Sequence, residues 1–267
     1  LLLKKKLMVK KLRFDSIIFG GNGQDGYLMS RFLLKQKKKL VIIVRKKNER
    51  LLDLKKKNQK LLKIITLKNF NLKNYLKLIE KINFKYVYFF AGYSKIPKTK
   101  IQQNICIDSN YLIFKNFLYA CLKKKIKPRI LYTSSGEIYG SSQFKKRNEY
   151  SKFKPDNCYA ECKIKTSQLI NKFRKHNKFF IINAICYNHE SIFTPKNHLL
   201  RKIIESFANK NLKKVEIFNP NEKRNISHAY DFLPLFQKSI KSNKSDNYIF
   251  ANTKNITVKQ ISNLVNK

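Results

Sequence analysis

The sequence predicts an α/β protein built on a doubly wound parallel sheet, with a smaller C-terminal region for substrate. Three observations carry this. A glycine-rich turn, Gly20-Gly21-Asn22-Gly23-Gln24-Asp25-Gly26, lies between an apolar run and an amphipathic segment. Apolar runs then alternate with stretches of helical periodicity as far as Ser135. Finally, Tyr159 and Lys163 stand one helical turn apart.

The first strand is the run Ser16 to Phe19, and large apolar residues at 28, 29, 32 and 33 set the first helix. Between them, glycines at 20, 23 and 26 let the backbone turn sharply and approach a pyrophosphate, while the first amides of the helix point at the anion. The cradle comprises Gly20, Gly23, Gln24, Asp25 and Gly26. Residues 38–45 form a second buried strand that ends in Arg45 and Lys46. An acid at this point serves the ribose hydroxyls of NAD, whereas an arginine accommodates a 2′-phosphate, so NADP is the expected cofactor.

A third apolar run, Lys63 to Leu67, precedes a helix over 72–82. The run Tyr86 to Gly92 predicts a fourth strand opening into a small-residue turn where the nicotinamide half of the cofactor passes. A helix over 104–124 then leads to a fifth strand, Arg129 to Ser135. Ligands in such sheets sit at the carboxyl ends of the strands, where Gly20, Arg45, Gly92 and Ser135 fall. Beyond residue 186 the pattern is less regular. A helix over 198–210, a strand over 215–218, a strand over 248–251 and a helix over 258–265 are expected there. The division is thus a cofactor domain over 12–186 and a substrate region over 187–267, interleaved with it.

At 267 residues and 43% hydrophobic, the chain can bury a full core. No apolar run approaches the roughly twenty residues of a membrane span, and Leu1 to Met8 lack the apolar core of a secretory signal, so the cytoplasm is the expected compartment. The net charge of +43 invites a nucleic-acid reading, but the lysines are scattered without a recognition helix or aromatic-interleaved strands. Solvated positive faces and a preference for anionic small molecules follow. The cysteines at 106, 121, 158, 162 and 186 include no CxxC pair and no histidine at zinc-ligand spacing, so buried thiols and no metal are expected.

With Tyr159 at the start of a helix, spacing puts its phenol and the Lys163 ammonium on one face, where the lysine can hold the cofactor ribose and lower the phenol's pKa. Gly20 to Gly26, Ser134 to Gly140, Tyr159 to Lys163 and Asn188-His189-Glu190-Ser191 together resemble the extended short-chain dehydrogenases, and within them the GDP-mannose 4,6-dehydratase family. The resemblance covers about residues 14–265. It implies a Rossmann fold, a hydro-lyase and tightly held NADP used as an internal hydride shuttle. By the same resemblance, Tyr159 takes the proton of the sugar C4 hydroxyl as the C4 hydride passes to the cofactor, Ser135 bonds the C4 oxygen, and Glu137 removes the C5 proton. Asn188, Lys202 and Arg224 contact the nucleotide sugar, GDP-mannose. Homo-oligomers are usual among such proteins.

Glu137 separates dehydratases from epimerases, which need no base at C5. The chain departs from the pattern at Gly136, where other sugar dehydratases often carry a side chain that helps water leave, and at Asn69, where an aspartate near the adenine is usual. It also stops soon after Thr257-Val258-Lys259-Gln260, where relatives continue. A sugar-nucleotide epimerase and a non-catalytic cofactor-binding scaffold therefore stand as alternatives.

Overall fold

A computed structural model describes residues 11–140, 146–196, 198–208, 216–217 and 219–266. In chain order its elements begin with β1 (Leu12–Phe19), α1 (Gln24–Lys35), β2 (Leu40–Val44), α2 (Glu49–Lys57), β3 (Leu62–Thr66), α3 (Leu72–Lys81), β4 (Ile82–Phe89) and α4 (Lys100–Ile107). A π-turn, Asp108–Leu112, joins α4 to α5 (Ile113–Lys123), which leads to β5 (Arg129–Ser135), a 3₁₀ turn Gly136–Tyr139 and α6 (Cys158–Asn177). After these come β6 (Ile181–Cys186), β7 (Asn188–Glu190), α7 (Leu199–Ala208), β8 (Lys223–Arg224), β9 (Ile226–His228), α8 (Ala229–Lys241), β10 (Asn247–Phe250), β11 (Ile256–Thr257) and α9 (Val258–Val265).

The main sheet has seven strands in the order β10-β6-β5-β4-β1-β2-β3, every pairing parallel. Because both faces are covered, its strands read as continuous apolar runs, and all five residues of β2 and all six of β6 are buried. Alternation splits them between two cores. Ile17, Phe19, Val41 and Ile43 pack with α3, α5 and α6, while Ile18, Leu40 and Ile42 pack with α1, α2 and α8. On the first side Phe19, Tyr75, Phe89 and Phe117 form an aromatic cluster with centroids 4.6 to 6.2 Å apart.

The helices start at polar caps. Asn48, Asn71, Thr99 and Asn157 each accept a backbone N–H of the first turn, and Thr257 with Gln260 closes a capping box at α9. Helix α8, after His228, has no such side-chain cap, and neither has α1, whose cap is Gly23, with no side chain to satisfy the first amides. A small third core of Ile203, Val258 and Ile261, backed by Leu200, Ile226 and Ile256, joins α7, α9 and the short strands.

Several expectations shift. The strand expected to start at Tyr86 begins at Ile82, directly after α3. The helix expected over 104–124 is two helices with a π-turn between them. Of the strand expected over 215–218, residues 216 and 217 are irregular and the others lie outside the described residues. Residues 209–210 of the helix expected to end at Lys210 also lie outside them. Strand β10 and helix α8 return to the main sheet, so the C-terminal part of the chain contributes to both layers.

The turn after β1 is packed backbone on backbone. Gly20 has φ +83°, and a Cβ on Gly26 would lie 2.4 Å from the Gly20 carbonyl oxygen. Gly26→Ala is expected to cost about 1–3 kcal/mol, read as a fall in Tm, whereas Gly23→Ala, whose Cβ would meet nothing closer than 3.4 Å, stays within about 1 kcal/mol of the parent. Equal Tm values for parent and Gly26→Ala would show that the turn has room.

Candidate active site

Ordering β4 beside β1 while β2 lies on the other side creates a crevice at the carboxyl ends of these strands, the place where doubly wound sheets take ligands. A cleft of about 410 Å³ opens there. Gly20, Gly23, Gln24, Asp25 and Gly26 form one wall, with Gly92 after β4 beside them. Ser135, Glu137, Tyr159 and Lys163 line the same cleft, and Asn188 lies beyond the end of β6.

The uncapped amides of α1 at this wall suit a phosphate. Three further buried polar atoms, Asn110 Oδ1, Ser134 Oγ and Glu190 Oε2, lack a protein partner, and all three residues line the cleft. Buried polar groups are ordinarily satisfied, so these fit a polar ligand such as a dinucleotide. Asn110 sits in the π-turn, and its Nδ2 donates to the carbonyls of Tyr93 and Cys106 at 3.0 and 3.1 Å. Sequence reasoning missed this residue, because helical periodicity gives no warning of a π-turn.

Lys163 is buried at 5% exposure, donating to the Thr133 carbonyl at 2.8 Å and to the Tyr132 hydroxyl at 3.2 Å. Burial lowers its pKa to about 8, opposed by the neighbouring thiols of Cys186, Cys106 and Cys162 and by Asp25. Its ammonium lies 5.6 Å from the centroid of the Tyr159 ring. The expected lowering of the phenol is absent: burial pushes the Tyr159 pKa above its ordinary value, a side-chain hydrogen bond with Ser135 opposes this, and Glu137 adds to it. Desolvation here outweighs the lysine.

Glu137 stands at the open mouth of the cleft. Partial burial raises its pKa, as does Asp156, while Arg224 and a hydrogen bond with Asn157 pull it down. A Cβ on Gly136 would meet the Tyr187 ring at 3.0 Å, so that ring fills the space a side chain at 136 would need. Arg224 forms a 2.7 Å ion pair with Glu222 on the neighbouring stretch. Arg224 is not among the residues lining the cleft, and two other predicted residues also lie away from that lining. Arg45 bonds Asp108 at 2.8 Å over the Phe70 ring, both partners half exposed, and Lys202 is exposed on α7.

The Gln24-Asp25 pair does more than turn the chain. Gln24 Nε2 donates to the His189 carbonyl at 2.9 Å, while its Oε1 accepts from the hydroxyls of Ser191 at 2.7 Å and Thr194 at 2.8 Å. His189 has both ring nitrogens on acceptors, the Tyr187 carbonyl at 2.7 Å and Asp25 Oδ1 at 3.1 Å, the arrangement of an imidazolium. Burial alone would lower its pKa, but the Asp25 carboxylate outweighs this and holds it at about 9. Asp25 is lowered in turn, against burial, by His189 first.

The fold is that of the extended short-chain dehydrogenases, with the cleft where such sheets take ligands. The chain belongs to the GDP-mannose 4,6 dehydratase family, whose model matches residues 17–267. It is 26% identical over 196 residues to GDP-mannose 4,6 dehydratase 2 of Caenorhabditis elegans, covering 71% of this chain and 51% of that protein. To GDP-mannose 4,6 dehydratase of Drosophila melanogaster it is 24% identical over 259 residues, covering 92% and 65%. These matches thus span less than two thirds of either relative's length. Among solved structures, UDP-N-acetylglucosamine 4-epimerase of Methanobrevibacter ruminantium superposes with a TM-score of 0.81 at 18% identity over 95% of this chain and 81% of that one. The dTDP-glucose 4,6-dehydratase DesIV of Streptomyces venezuelae, solved with NAD bound, gives 0.82 at 14% over 95% and 80%. At such identities the likeness is one of fold.

The His189 and Asp25 pair gives a pH dependence of stability. A folded-state pKa of about 9 against an ordinary 6.5 means that the contribution is full below the lower value and fades as pH rises through the upper one. The parent protein is expected to lose on the order of 1–3 kcal/mol between these limits, followed as Tm against pH, and His189→Asn should flatten that slope. Parallel profiles for the two proteins would exclude the pair as its source.

Proposed function

We propose that this chain is a nucleotide-sugar 4,6-dehydratase that converts GDP-mannose to its 4-keto-6-deoxy product with NADP held as an internal hydride carrier. The observation that carries the reading is the presence of a carboxylate, Glu137, in the same cleft as Ser135, Tyr159 and Lys163. Gly20, Gly23, Gln24, Asp25 and Gly26 would hold the pyrophosphate, Gly92 would border the cofactor, and Lys163 would bond its ribose. Arg45, at the end of β2, would meet the 2′-phosphate. The region from residue 187 onward would bind the nucleotide sugar. When bound, NADP supplies the hydride acceptor and donor and, in its oxidised form, a positive charge near the phenol.

Ser135 holds the C4 oxygen and Tyr159 accepts the proton of the C4 hydroxyl. A ketone at C4 acidifies C5, and Glu137, its pKa raised by burial, takes the C5 proton and gives it to the hydroxyl that leaves C6 as water. The hydride removed from C4 would then return to C6, and the proton removed from the C4 hydroxyl would be placed on C5. Asn188 and Arg224 orient the substrate, the guanidinium being suited to a diphosphate. Family membership and the position of Glu137 support elimination over epimerisation, for which no base at C5 is needed. The oligomer expected of such proteins belongs to this same proposal.

Glu137→Gln keeps the shape of the site and removes the base. With GDP-mannose and bound NADP, this variant is expected to reduce its cofactor, seen at the reduced-nicotinamide band, while C5 hydrogen exchange and water loss fall by ~10²–10⁴-fold. An epimerase or an inert scaffold shows no such split, and a variant that dehydrates at the parent rate sinks the reading.

The Arg45–Asp108 pair is exposed and therefore worth little to the fold. Arg45→Gln should weaken NADP by roughly 10–100-fold and leave NAD within about a factor of two. Titration of both cofactors checks this, and equal affinities in the parent protein would overturn the preference for NADP.

A further inference from the structure

Three of the five cysteines converge where α4 meets the start of α6. Cys158 and Cys162 are four residues apart, so α6 presents both sulfurs on one face, and Cys106 comes from the last turn of α4. The Sγ atoms of Cys106, Cys158 and Cys162 all lie within 4.8 Å of one another. Cys121 and Cys186 do not join them.

We propose that Cys106, Cys158 and Cys162 form a trigonal trithiolate site for a soft, thiophilic cation, best matched by Cu(I). With metal–sulfur bonds of about 2.3 Å, a trigonal site needs sulfurs about 4 Å apart. The triangle therefore closes with shifts of under about 1 Å, within reach of side-chain rotation. The donor set is wholly sulfur, with no carboxylate or imidazole in the group, which selects against hard cations. A structural zinc site would want a fourth ligand. Asn110 Nδ2 lies 3.3 Å from Cys106 Sγ, and it is a donor that steadies a thiolate rather than a ligand.

Burial raises the pKa of both Cys106 and Cys162, so the ion must displace protons. Three S–H bonds lose their protons to solvent as three S–Cu bonds form, and no electron is transferred. Lys163, close enough to act electrostatically on Cys106 and Cys162, offsets part of the anionic charge. Cys158 is only half-buried and gives the ion its way in. A disulfide is the poorer fit. It would take two of the sulfurs and strand the third, and within α6 the two Cβ atoms of an i, i+4 pair are 5–6 Å apart, well beyond disulfide reach.

The site is distinct from the reaction proposed above and is tested without measuring that reaction. Reduced protein is titrated anaerobically with Cu(I) delivered from a colorimetric Cu(I) chelator. One ion per chain is expected, with three sulfur scatterers in X-ray absorption and a Tm that rises on loading. Cys158→Ser, at a half-buried position whose metal-free Tm reports its folding, should weaken Cu(I) by at least about 100-fold. Cys106→Ser should do the same, and Cys121→Ala should bind as the parent does. Absence of uptake, unchanged affinity in Cys158→Ser, coordination by two sulfurs, or a chain found two mass units lighter through a disulfide would each overturn the proposal.

Discussion

The hold of Gln24 and Asp25 on the segment from Tyr187 to Thr194 is the constraint on which the cleft depends. A glycine turn by itself fixes only the backbone at the end of β1. Through one amide and one carboxylate, this turn also fixes the chain leaving β6, 165 residues further on. The Gln24 amide spends its oxygen on two hydroxyls and its nitrogen on a carbonyl, so a flip of the amide would break every one of these contacts. Asn188 faces the cleft because the residues beside it are held in this way. The site is thus closed on one side by hydrogen bonds as well as by the packing of His189 on Phe232 and Phe193 on Tyr27, and charged partners strengthen it where it is least exposed.

Much of the fold was legible in the sequence, for a physical reason. Strands covered on both faces are largely apolar, and β2 announces itself as an unbroken run while β5 does so through Ile130 to Tyr132. Strand β6 hides because Asn183 interrupts it. Only the structure shows that its Nδ2 is satisfied, donating to the Ser167 hydroxyl and Asn247 Oδ1, while its own Oδ1 stays unpartnered. The π-turn at Asp108 to Leu112 is silent because one extra residue in a turn leaves the apolar pattern on either side intact. Strands of two or three residues, such as β8 and β11, are too short to carry a period at all.

The site was legible where chemistry follows local spacing. The glycines of the turn and the Tyr159 and Lys163 pair reach the cleft from their own short motifs. Distant pairing was not legible, and the balance of burial against charge was harder still. The same lysine that spacing makes a helper of the phenol is itself desolvated, the one charged side chain in the buried set among the described residues. Its neighbours Cys158 and Cys162 show how a search for CxxC overlooks CxxxC, the spacing that a helix, rather than a turn, brings onto one face.

The place of β10 bears on how the chain is made. Strand β6 is flanked by β5 on one side and by β10 on the other, and β10 lies some 60 residues later in the sequence. As the polypeptide leaves the ribosome, the nucleotide-binding half can assemble around β1 to β5 while the outer rim of β6 offers unpaired backbone groups to any passing strand. Phe250, which docks against Phe232 and Phe236, closes that rim only once β10 has been made. Slow synthesis of the stretch between β6 and β10 would therefore lengthen the interval in which nascent chains are prone to cross-pairing, an interval during which chaperone capture has most to gain.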